Sequence, residues 1–591
     1  VLDPIFSLRQ RVRLKPGEIA HIIFSTGTAH SREEALRLID KYNNPYAFER
    51  ESGLAWTKAQ VEMRHLNIDA DEAHLYQRLA GRLLYSDPSL RPRSHVLALN
   101  KKTQSGLWSY GISGDLPIAL VRISQERDLS IVRQLLRAHE YLRMKGLVFD
   151  LVILNDHPHS YIQSLQDELY RLVRMSGSQA LIDKPGGVFL RRTDLMPEED
   201  RILLHAVARI VIVTERGPLE EQLVRRPIED ELPARFIARA PSRRYAEPAL
   251  TIPDLTFFNG LGGFTEDGRE YVTILDEGQW TPAPWLNVIS NSKDFGFQIS
   301  ETGSGYAWSV NSRENRLTPW SNDPVSDPVS EAIYLRDEDT GEAWTTTPLP
   351  VREAERYVIK HGQGYSIFEH ASHGIYQNLL VFVSMDAPVK ISLLSLRNES
   401  ERRRRISVTG YTELTLGVER SRMAPFIITD VDKDTGAILA RNPYNNEFAN
   451  RVAFADVSQR ERTITCDRKE FLGRNGSHAS PAALGRARLS GRTGAGLDPC
   501  AAIQSVIELA PGEEREVVFV LGEAEGREEA LRLASIYRQP AAAKEEFEKV
   551  LTYWNELLGA LEVKTPDASM DVVLNRWLLY QALSCRIQAR S

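Results

Sequence analysis

Short runs in which apolar and polar residues alternate are frequent in the second half of the chain. Residues 270–275, 296–300 and 306–310 are such runs, and Gly, Pro, Asn and Asp residues separate them. Alternation with a period of two between turn-forming residues is typical of antiparallel strands with one buried face. Similar runs follow at 379–385, 389–396, 405–416 and 512–521. The pattern predicts a large antiparallel β-sandwich of two packed sheets over residues 254–525.

Residues 71–226 have a different pattern, in which apolar residues recur at helical spacing. Segments 128–144 and 160–175 follow it, and segment 198–215 is apolar enough for a buried helix. We therefore predict a helical domain over 71–226.

The remaining segments connect or extend these two regions. Residues 31–70 are predicted to be a helical linker, and residues 526–591 to be linker helices followed by the start of a second helical domain. Residues 227–253 are rich in Pro, Arg and Ala without clear periodicity, which is typical of an extended linker. The predicted fold class is therefore multidomain α+β, a large antiparallel β-sandwich with α-helical regions.

The beginning of the chain is repeated near its end. Residues 2–42 align without a gap with residues 497–537, at an offset of 495, and 18 of the 41 aligned pairs are identical. This similarity indicates an internal duplication. Residues 1–30 are accordingly predicted to be the C-terminal strands of a first β-sandwich. Because the strands that would pair with them are expected to precede Val1, we expect these residues to form no sheet on their own.

Composition narrows the classes of function. At 591 residues the chain is too long for one hydrophobic core. A net charge of −7 gives no basic field for nucleic acid or an anionic membrane, and no apolar run is long enough to span a bilayer. Three widely spaced cysteines indicate a reducing, cytoplasmic compartment and lack zinc-ligand spacing. Without an initiator Met or a signal peptide, the chain is expected to be a segment of a longer protein.

Two loops in the sandwich carry candidate binding chemistry. Residues 280–285 contain two prolines and two indoles, one of them Trp285, and residues 311–323 combine amide and guanidinium groups with another Trp. Indole faces beside planar polar groups suit a sugar ring, which needs an apolar face and hydroxyl partners. The alternative is that the Trp residues belong to the core and the charged loops are merely solvated. The candidate substrate-binding residues of the second loop are Asn311, Arg313, Asn315, Arg316 and Trp320.

The order of several motifs resembles a known family. The blocks are GGF, DGREYV, PAPWLNVISN, FGFQISETGSGYAWSVNSRENRLTPWSND and, further on, RYVIKHGQGYS. They resemble the N-terminal β-sandwich of the glycoside hydrolase family 94 phosphorylases, in particular the branch found in cyclic β-1,2-glucan synthases and 1,2-β-oligoglucan phosphorylases. The resemblance implies a supersandwich of the galactose-mutarotase type. It also implies that residues 71–226 are a shortened α/α-barrel, in which Asp115 is a surviving substrate contact. The alternative for Asp115 is a Gly-rich turn in which it caps the next helix.

The resemblance also implies a reaction. Family 94 enzymes cleave β-glucosidic bonds with inorganic phosphate, so one general acid suffices and phosphate is the only cosubstrate expected, with no other cofactor and no metal. The family's acid lies in a DWNDG-type motif, which this sequence does not contain, so no catalytic residue is assigned. The resemblance further implies a homodimer, in which a loop of one sandwich, here 311–320, reaches the partner's active site.

Two functions of different classes remain open from the sequence. The first is an enzymatic segment that processes β-1,2-glucan, on the cytosolic side of a larger inner-membrane protein, with a β-glucan oligosaccharide as its partner. The second is a non-catalytic carbohydrate-binding or scaffolding segment that positions glucan for another domain. The duplication favours the first, and the missing acid motif favours the second for this chain taken alone.

Overall fold

The computed structural model describes residues 4–44, 46–157, 164–224, 232–241, 245 and 250–589. The chain forms two compact units. The first contains residues 1–90, 109–197 and 208–226; the second contains residues 91–108, 198–207 and 227–591. Among the residues that the structure describes, no helix is both long enough and apolar enough to cross a bilayer.

The first unit combines helices with a parallel sheet. Its helices are α1 (Arg32–Tyr42), α2 (Ala47–Leu66), α3 (Ala70–Leu84), α5 (Leu129–Met144), α6 (Ser164–Met175) and α8 (Leu219–Gln222). Its strands are β1 (Ile118–Ile123), β2 (Asp150–Asn155), β3 (Val188–Arg192) and β4 (Ile210–Val213). They lie in the order β3-β2-β1-β4, and all three pairings are parallel. Apolar residues of α3, α5 and α6 form one core with the sheet.

The prediction of a shortened α/α-barrel over 71–226 is therefore wrong, because this region contains a parallel α/β sheet. The four strands are short, almost continuously apolar runs, and β2 is buried at all six positions. A strand of a parallel sheet is covered on both faces and so lacks the polar–apolar alternation that distinguishes a strand from a buried helix. Segment 198–215 shows the consequence. It was predicted as one helix, but α7 (Glu198–Val207) ends before β4 begins at Ile210.

The two copies of the duplicated sequence differ in structure. Helices α1 and α11 (Arg527–Tyr537) have the same bounds after the offset of 495. Ser31 caps α1 by accepting a hydrogen bond from the backbone N–H of Glu34. The strand sequences of the second copy form long paired strands, whereas residues 4–31 of the first copy contain no strand. Their apolar side chains lie in solvent, and Phe6 is 98% exposed.

The second unit is dominated by antiparallel strands. Its strands before residue 400 are β5 (Leu255–Thr256), β6 (Gly262–Thr265), β7 (Glu270–Leu275), β8 (Leu286–Ser290), β9 (Phe295–Ser300), β10 (Gly305–Ser309), β11 (Glu331–Asp337), β12 (Ala343–Thr345), β13 (Tyr357–Gly362), β14 (Tyr365–Ser372), β15 (Ile375–Val383) and β16 (Val389–Asn398). Those after it are β17 (Arg404–Glu413), β18 (Ile428–Val431), β19 (Ile438–Arg441), β20 (Arg451–Val457), β21 (Thr463–Asp467), β22 (Gly494–Ala495), β23 (Pro499–Leu509) and β24 (Glu514–Glu525).

Short helices and two longer ones accompany these strands. They are α4 (Ser94–Leu97), α7, α9 (Arg420–Met423), α10 (Arg468–Leu472), α11, α12 (Pro540–Leu558), α13 (Ala568–Val572) and α14 (Leu578–Ala582). Two π-helical turns, Val573–Trp577 and Leu583–Gln588, follow α13 and α14 respectively.

Three sheets make up the sandwich. A twelve-stranded sheet has the order β22-β18-β19-β20-β24-β16-β15-β14-β13-β7-β6-β5, a five-stranded sheet the order β12-β11-β17-β23-β21, and a three-stranded sheet the order β10-β9-β8. One face of the long sheet shares a core with the two smaller sheets. Its other face packs against α11 and α12, where Trp554 is 2% exposed. The predicted large antiparallel sandwich is thus confirmed.

The segment predicted as an extended linker is attached to the sandwich wherever the structure describes it. The backbone N–H of Phe236 donates to Gly485 O at 2.9 Å, and the Arg336 guanidinium lies 4.1 Å from the centre of the Phe236 ring. Arg402 donates to the Tyr245 hydroxyl at 2.7 Å, and Arg402 and Arg404 both pair with the buried Asp337. Residues 227–231, 242–244 and 246–249 lie outside the described residues.

A buried carboxyl in the first unit gives a pH prediction. Asp150 is 0% exposed, accepts a hydrogen bond from the Gly186 N–H at 2.7 Å, and its second oxygen has no hydrogen-bond partner. Burial raises its pKa from 3.8 to about 6. A raised carboxyl pKa means that the folded unit prefers the protonated form. Its stabilising contribution is therefore present at low pH and lost as pH rises from about 4 through about 6.

Asp150→Asn should remove this loss, which amounts to about 3 kcal/mol between pH 4 and pH 7. Hydrogen exchange of the β1, β2 and β3 amides in both proteins at each pH measures it. Both proteins keep His139, whose pKa burial lowers to about 4, so the difference isolates Asp150. Asp40→Asn, at an exposed position of α1, is the control. Equal pH profiles for wild type and Asp150→Asn would contradict the prediction.

Candidate functional site

The loop that carries most of the candidate residues is a structured turn. It leaves β10 after Ser309, and Val310 adopts a positive φ of 67°. The Asn311 side-chain oxygen accepts hydrogen bonds from the backbone N–H groups of Arg313 and Glu314, at 2.9 and 2.8 Å. Asn residues close such turns readily because their side chain can replace a backbone acceptor. Asn311 therefore shapes the loop through its carboxamide oxygen.

Asn315 is buried beneath this loop. It is 1% exposed, and its side-chain amide donates to Ser309 O at 3.0 Å and to Glu523 Oε2 at 2.8 Å. Glu523 is itself 2% exposed and pairs with Arg451 at 2.5 Å. Burial raises the pKa of Glu523, while Arg451 and Asn315 favour its ionised form. Asn315 thus positions the loop and does not present its amide to a ligand.

Arg316 connects the loop to residues 417–418 and contacts the Trp320 indole. Its guanidinium donates to Val418 O at 2.9 Å, and its backbone exchanges two hydrogen bonds with Gly417 at 3.1 Å. The guanidinium carbon lies 5.1 Å from the centre of the Trp320 ring and 5.7 Å from that of Tyr306. Cations at this distance from an aromatic face are attracted to it. Arg316 therefore fixes the position of the Trp320 ring.

Arg313 and Trp320 are the members of the set that reach solvent. The Arg313 side chain is 74% exposed and forms a surface salt bridge with Glu314 at 3.3 Å. Trp320 is 44% exposed despite its contact with Arg316. An exposed indole beside an exposed guanidinium offers a stacking face and hydrogen-bond donors to a ligand.

Trp285 lies in the other loop and is half-buried. Its backbone N–H donates to Glu301 Oε2 at 2.6 Å, and its ring meets Tyr271 edge-on at 5.6 Å. Glu301 is 1% exposed, also accepts a hydrogen bond from the Thr281 hydroxyl, and has a pKa raised by burial. Trp280, in the same loop, is 48% exposed, and Arg352 lies 5.4 Å from its ring centre.

Asp115 lies in the first unit. It is exposed and lies in a turn. Its backbone N–H donates a hydrogen bond to the Ser113 hydroxyl at 3.2 Å. Asp115 lies in the predicted turn, but the next element is strand β1, so Asp115 does not cap a helix. Its charge contributes to the raised pKa of Asp150.

Sequence reasoning missed the buried carboxylates that organise both loops. Glu523 stands 208 positions from Asn315, and Glu301 stands 16 positions from Trp285. Glu523 occupies a strand position at which an isolated acidic residue would be placed on the solvent face. Its burial is explained by its partners Arg451 and Asn315. Both are distant in the sequence, so the residues around Glu523 do not predict these contacts.

A comparison with known families explains the architecture. The supersandwich domain of glycosyl hydrolase 94 matches residues 1–45 and 269–540, and the catalytic domain of the glycosyl hydrolase 94 superfamily matches residues 553–591. This chain belongs to the glycosyl hydrolase 94 family. The supersandwich match covers both copies of the duplicated sequence, in agreement with the internal repeat. The family's catalytic domain is matched over only 39 residues here.

Curated relatives of the chain fall in the same family. Cyclic beta-(1,2)-glucan synthase NdvB of Rhizobium meliloti (strain 1021) is 38% identical over 100% of this chain and 21% of its own length. Solabiose phosphorylase of Paenibacillus borealis is 30% identical, and N,N'-diacetylchitobiose phosphorylase of Vibrio proteolyticus 28% identical, each over 56% of this chain. The chain spans about a fifth of the length of the first relative and about two fifths of the length of the phosphorylases.

The buried amide of Asn315 gives a stability prediction. Asn315→Ala removes two hydrogen bonds, one of them to the buried Glu523 carboxylate, and should lower the free energy of unfolding by about 1.5–3 kcal/mol. Arg313→Ala, two positions away on the loop surface, should change it by about 0.5 kcal/mol or less. Urea denaturation of the sandwich, followed by tryptophan fluorescence, compares the two. A similar loss of unfolding free energy in both variants would show that the buried amide of Asn315 does not stabilise the loop.

Proposed function

We propose that this chain is the supersandwich segment of an enzyme that processes β-1,2-glucan. The observation that carries the proposal is the match of the whole chain, at 38% identity, to a relative named as a cyclic beta-(1,2)-glucan synthase. The other relatives, named as phosphorylases, match only about half of it. Because the match to the synthase covers the whole chain, it includes the parallel α/β region.

The surface of the 311–320 loop is the proposed sugar contact. Trp320 would stack on the apolar face of a glucose residue, and Arg313 would donate to hydroxyls or to phosphate. Asn311, Asn315 and Arg316 serve this contact indirectly, by closing the turn, fixing it to Glu523 and supporting the Trp320 ring. Trp285 is a second stacking candidate, and Asp115 a separate contact in the first unit.

Inorganic phosphate is the proposed cosubstrate of the complete enzyme. In phosphorolysis phosphate attacks the anomeric carbon, so the protein must protonate the leaving oxygen but need not activate a water molecule. We propose that the general acid belongs to the family's catalytic domain, and that a homodimer brings the 311–320 loop of one subunit to the active site of the other. The location proposed is the cytosolic side of a larger membrane protein, which three free cysteines fit.

A second candidate function is supported by one specific observation. The chain contains no DWNDG-type motif, so the segment taken alone fits a glucan-binding or scaffolding role. Both functions use the same loop surface and differ only in whether the chain itself carries out chemistry.

The purified chain should release no glucose 1-phosphate from linear β-1,2-linked glucose oligomers and phosphate. Without a general acid the leaving sugar must depart as an alkoxide, and acid–base catalysis alone contributes roughly 10²–10⁴-fold. A coupled assay for glucose 1-phosphate measures release, with the same mixture lacking protein as its control. Release above this background would contradict the assignment of the acid to another part of the enzyme.

The loop variants should impair the complete enzyme. Arg313→Ala and Trp320→Ala in the full-length protein are expected to lower kcat/KM for β-1,2-glucan roughly ten- to a hundred-fold, because a charge-assisted hydrogen bond or a stacking face is lost. Their melting temperatures should stay close to that of the wild type, since both side chains are exposed. Arg460→Ala, at another exposed arginine of the sandwich, is the matched control. A lowered melting temperature with unchanged kinetics would make the loop purely structural.

A further inference from the structure

A second polar cluster, which the proposed function does not use, lies where segment 351–356 enters β13. Strand β14 runs antiparallel to β13 and ends beside this segment, so His370 and Ser372 face it. Oxygen atoms of Glu353 and Glu355 and a ring nitrogen of His370 all lie within 4.8 Å of one another. Among the residues that the structure describes, no other set of three His, Cys, Asp or Glu side chains is gathered this closely.

The orientation of His370 is fixed by its surroundings. Its side chain is 0% exposed, and its ring is stacked on Tyr357 with centroids 3.7 Å apart and planes at 2°. Nδ1 lies 2.9 Å from Arg356 O, so this nitrogen carries the proton and donates it to the carbonyl. A histidine that donates one ring N–H to a backbone carbonyl presents its other nitrogen in the arrangement found for metal-binding imidazoles.

The other nitrogen of His370 faces a carboxylate. Nε2 lies 3.1 Å from Glu353 Oε2. Nε2 thus points at the glutamate oxygens, and the two groups can share one cation, either a proton on the ring or a metal ion.

We propose that Glu353, Glu355 and His370 bind one divalent transition-metal ion, with zinc as the best match. Two ligands about 2.0–2.2 Å from a shared zinc ion lie about 3.3–3.6 Å apart in a tetrahedral site, a few tenths of an ångström more than the 3.1 Å between His370 Nε2 and Glu353 Oε2. An imidazole nitrogen with carboxylate oxygens suits zinc and its neighbours in the first transition series. Magnesium and calcium prefer sites made of oxygen alone.

Neighbouring side chains orient the proposed ligands. The Ser372 hydroxyl donates to Glu353 Oε2 at 2.8 Å, and His373 Nε2 lies 2.7 Å from Glu353 Oε1. His373 is itself stacked on Trp344, with centroids 4.4 Å apart. Hydrogen bonds to a ligating carboxylate are usual at metal sites and strengthen binding. The ion would link segment 351–356 to the end of β14, so its role is to stabilise this end of the sandwich.

Zinc binding by the purified chain tests the proposal, independently of glucan chemistry. After treatment with EDTA and removal of the chelator, the chain should take up one zinc ion in competition with a chromogenic chelator, and its melting temperature should rise. Glu355→Gln and His370→Gln should each weaken zinc binding at least about tenfold. Glu342→Gln is the control, since Glu342 lies 3.7 Å from His373 but is not a proposed ligand, and it should change the affinity less than twofold.

The visible absorption of bound cobalt distinguishes this site from binding to other histidines of the chain. Co²⁺ at this site should show a visible absorption band that Glu355→Gln alters and Glu342→Gln does not. If His370→Gln fails to fold, Glu355→Gln decides the question, because that substitution preserves shape. Absence of zinc uptake, or equal affinity in wild type and Glu355→Gln, would overturn the proposal.

Discussion

The position of the candidate sugar-binding loop depends on one buried carboxylate. Glu523 lies on β24, an interior strand of the twelve-stranded sheet, and is almost completely excluded from water. A charge in such a place is tolerated only with partners, and Arg451 and Asn315 provide them. Because Asn315 belongs to the loop, its hydrogen bond to the buried Glu523 carboxylate also holds the loop in place against β24. Arg316 then transmits it to the exposed Trp320 ring.

The sequence predicted the sandwich well because its strands have one polar and one apolar side. It failed for the α/β region for the opposite reason. Strands β1, β2 and β4 are largely apolar on both faces. They therefore lack the alternation of polar and apolar residues that distinguishes a strand from a buried helix. The Ala208-Arg209 break between α7 and β4 is too short to be recognised in an apolar run.

Within the site, composition identified the loop but not the roles of its residues. Arg313 and Trp320 are exposed, as a binding surface requires, whereas Asn315 is buried. Asn and Arg residues close together in a sequence do not reveal which of them faces inward, because the deciding partners of Asn315 and Arg316 lie at Glu523 and Val418. The cluster around His370 was missed for the same reason. Its acidic residues precede β13 and its histidine lies near the end of β14, so only the hairpin brings them together.

The attachment of residues 232–241 and of Tyr245 to the sandwich changes where this domain begins. Residues 234 and 236 bond to the backbone at 485 and 487, and Tyr245 accepts hydrogen bonds from Arg402, which also pairs with Asp337. A fragment that starts at residue 254 would uncover the Arg336 and Arg402 side chains and the strand edge beside residue 486. The sandwich that folds as a complete unit therefore starts near residue 232, and an expression boundary placed there would retain a piece of chain that looks dispensable in the sequence.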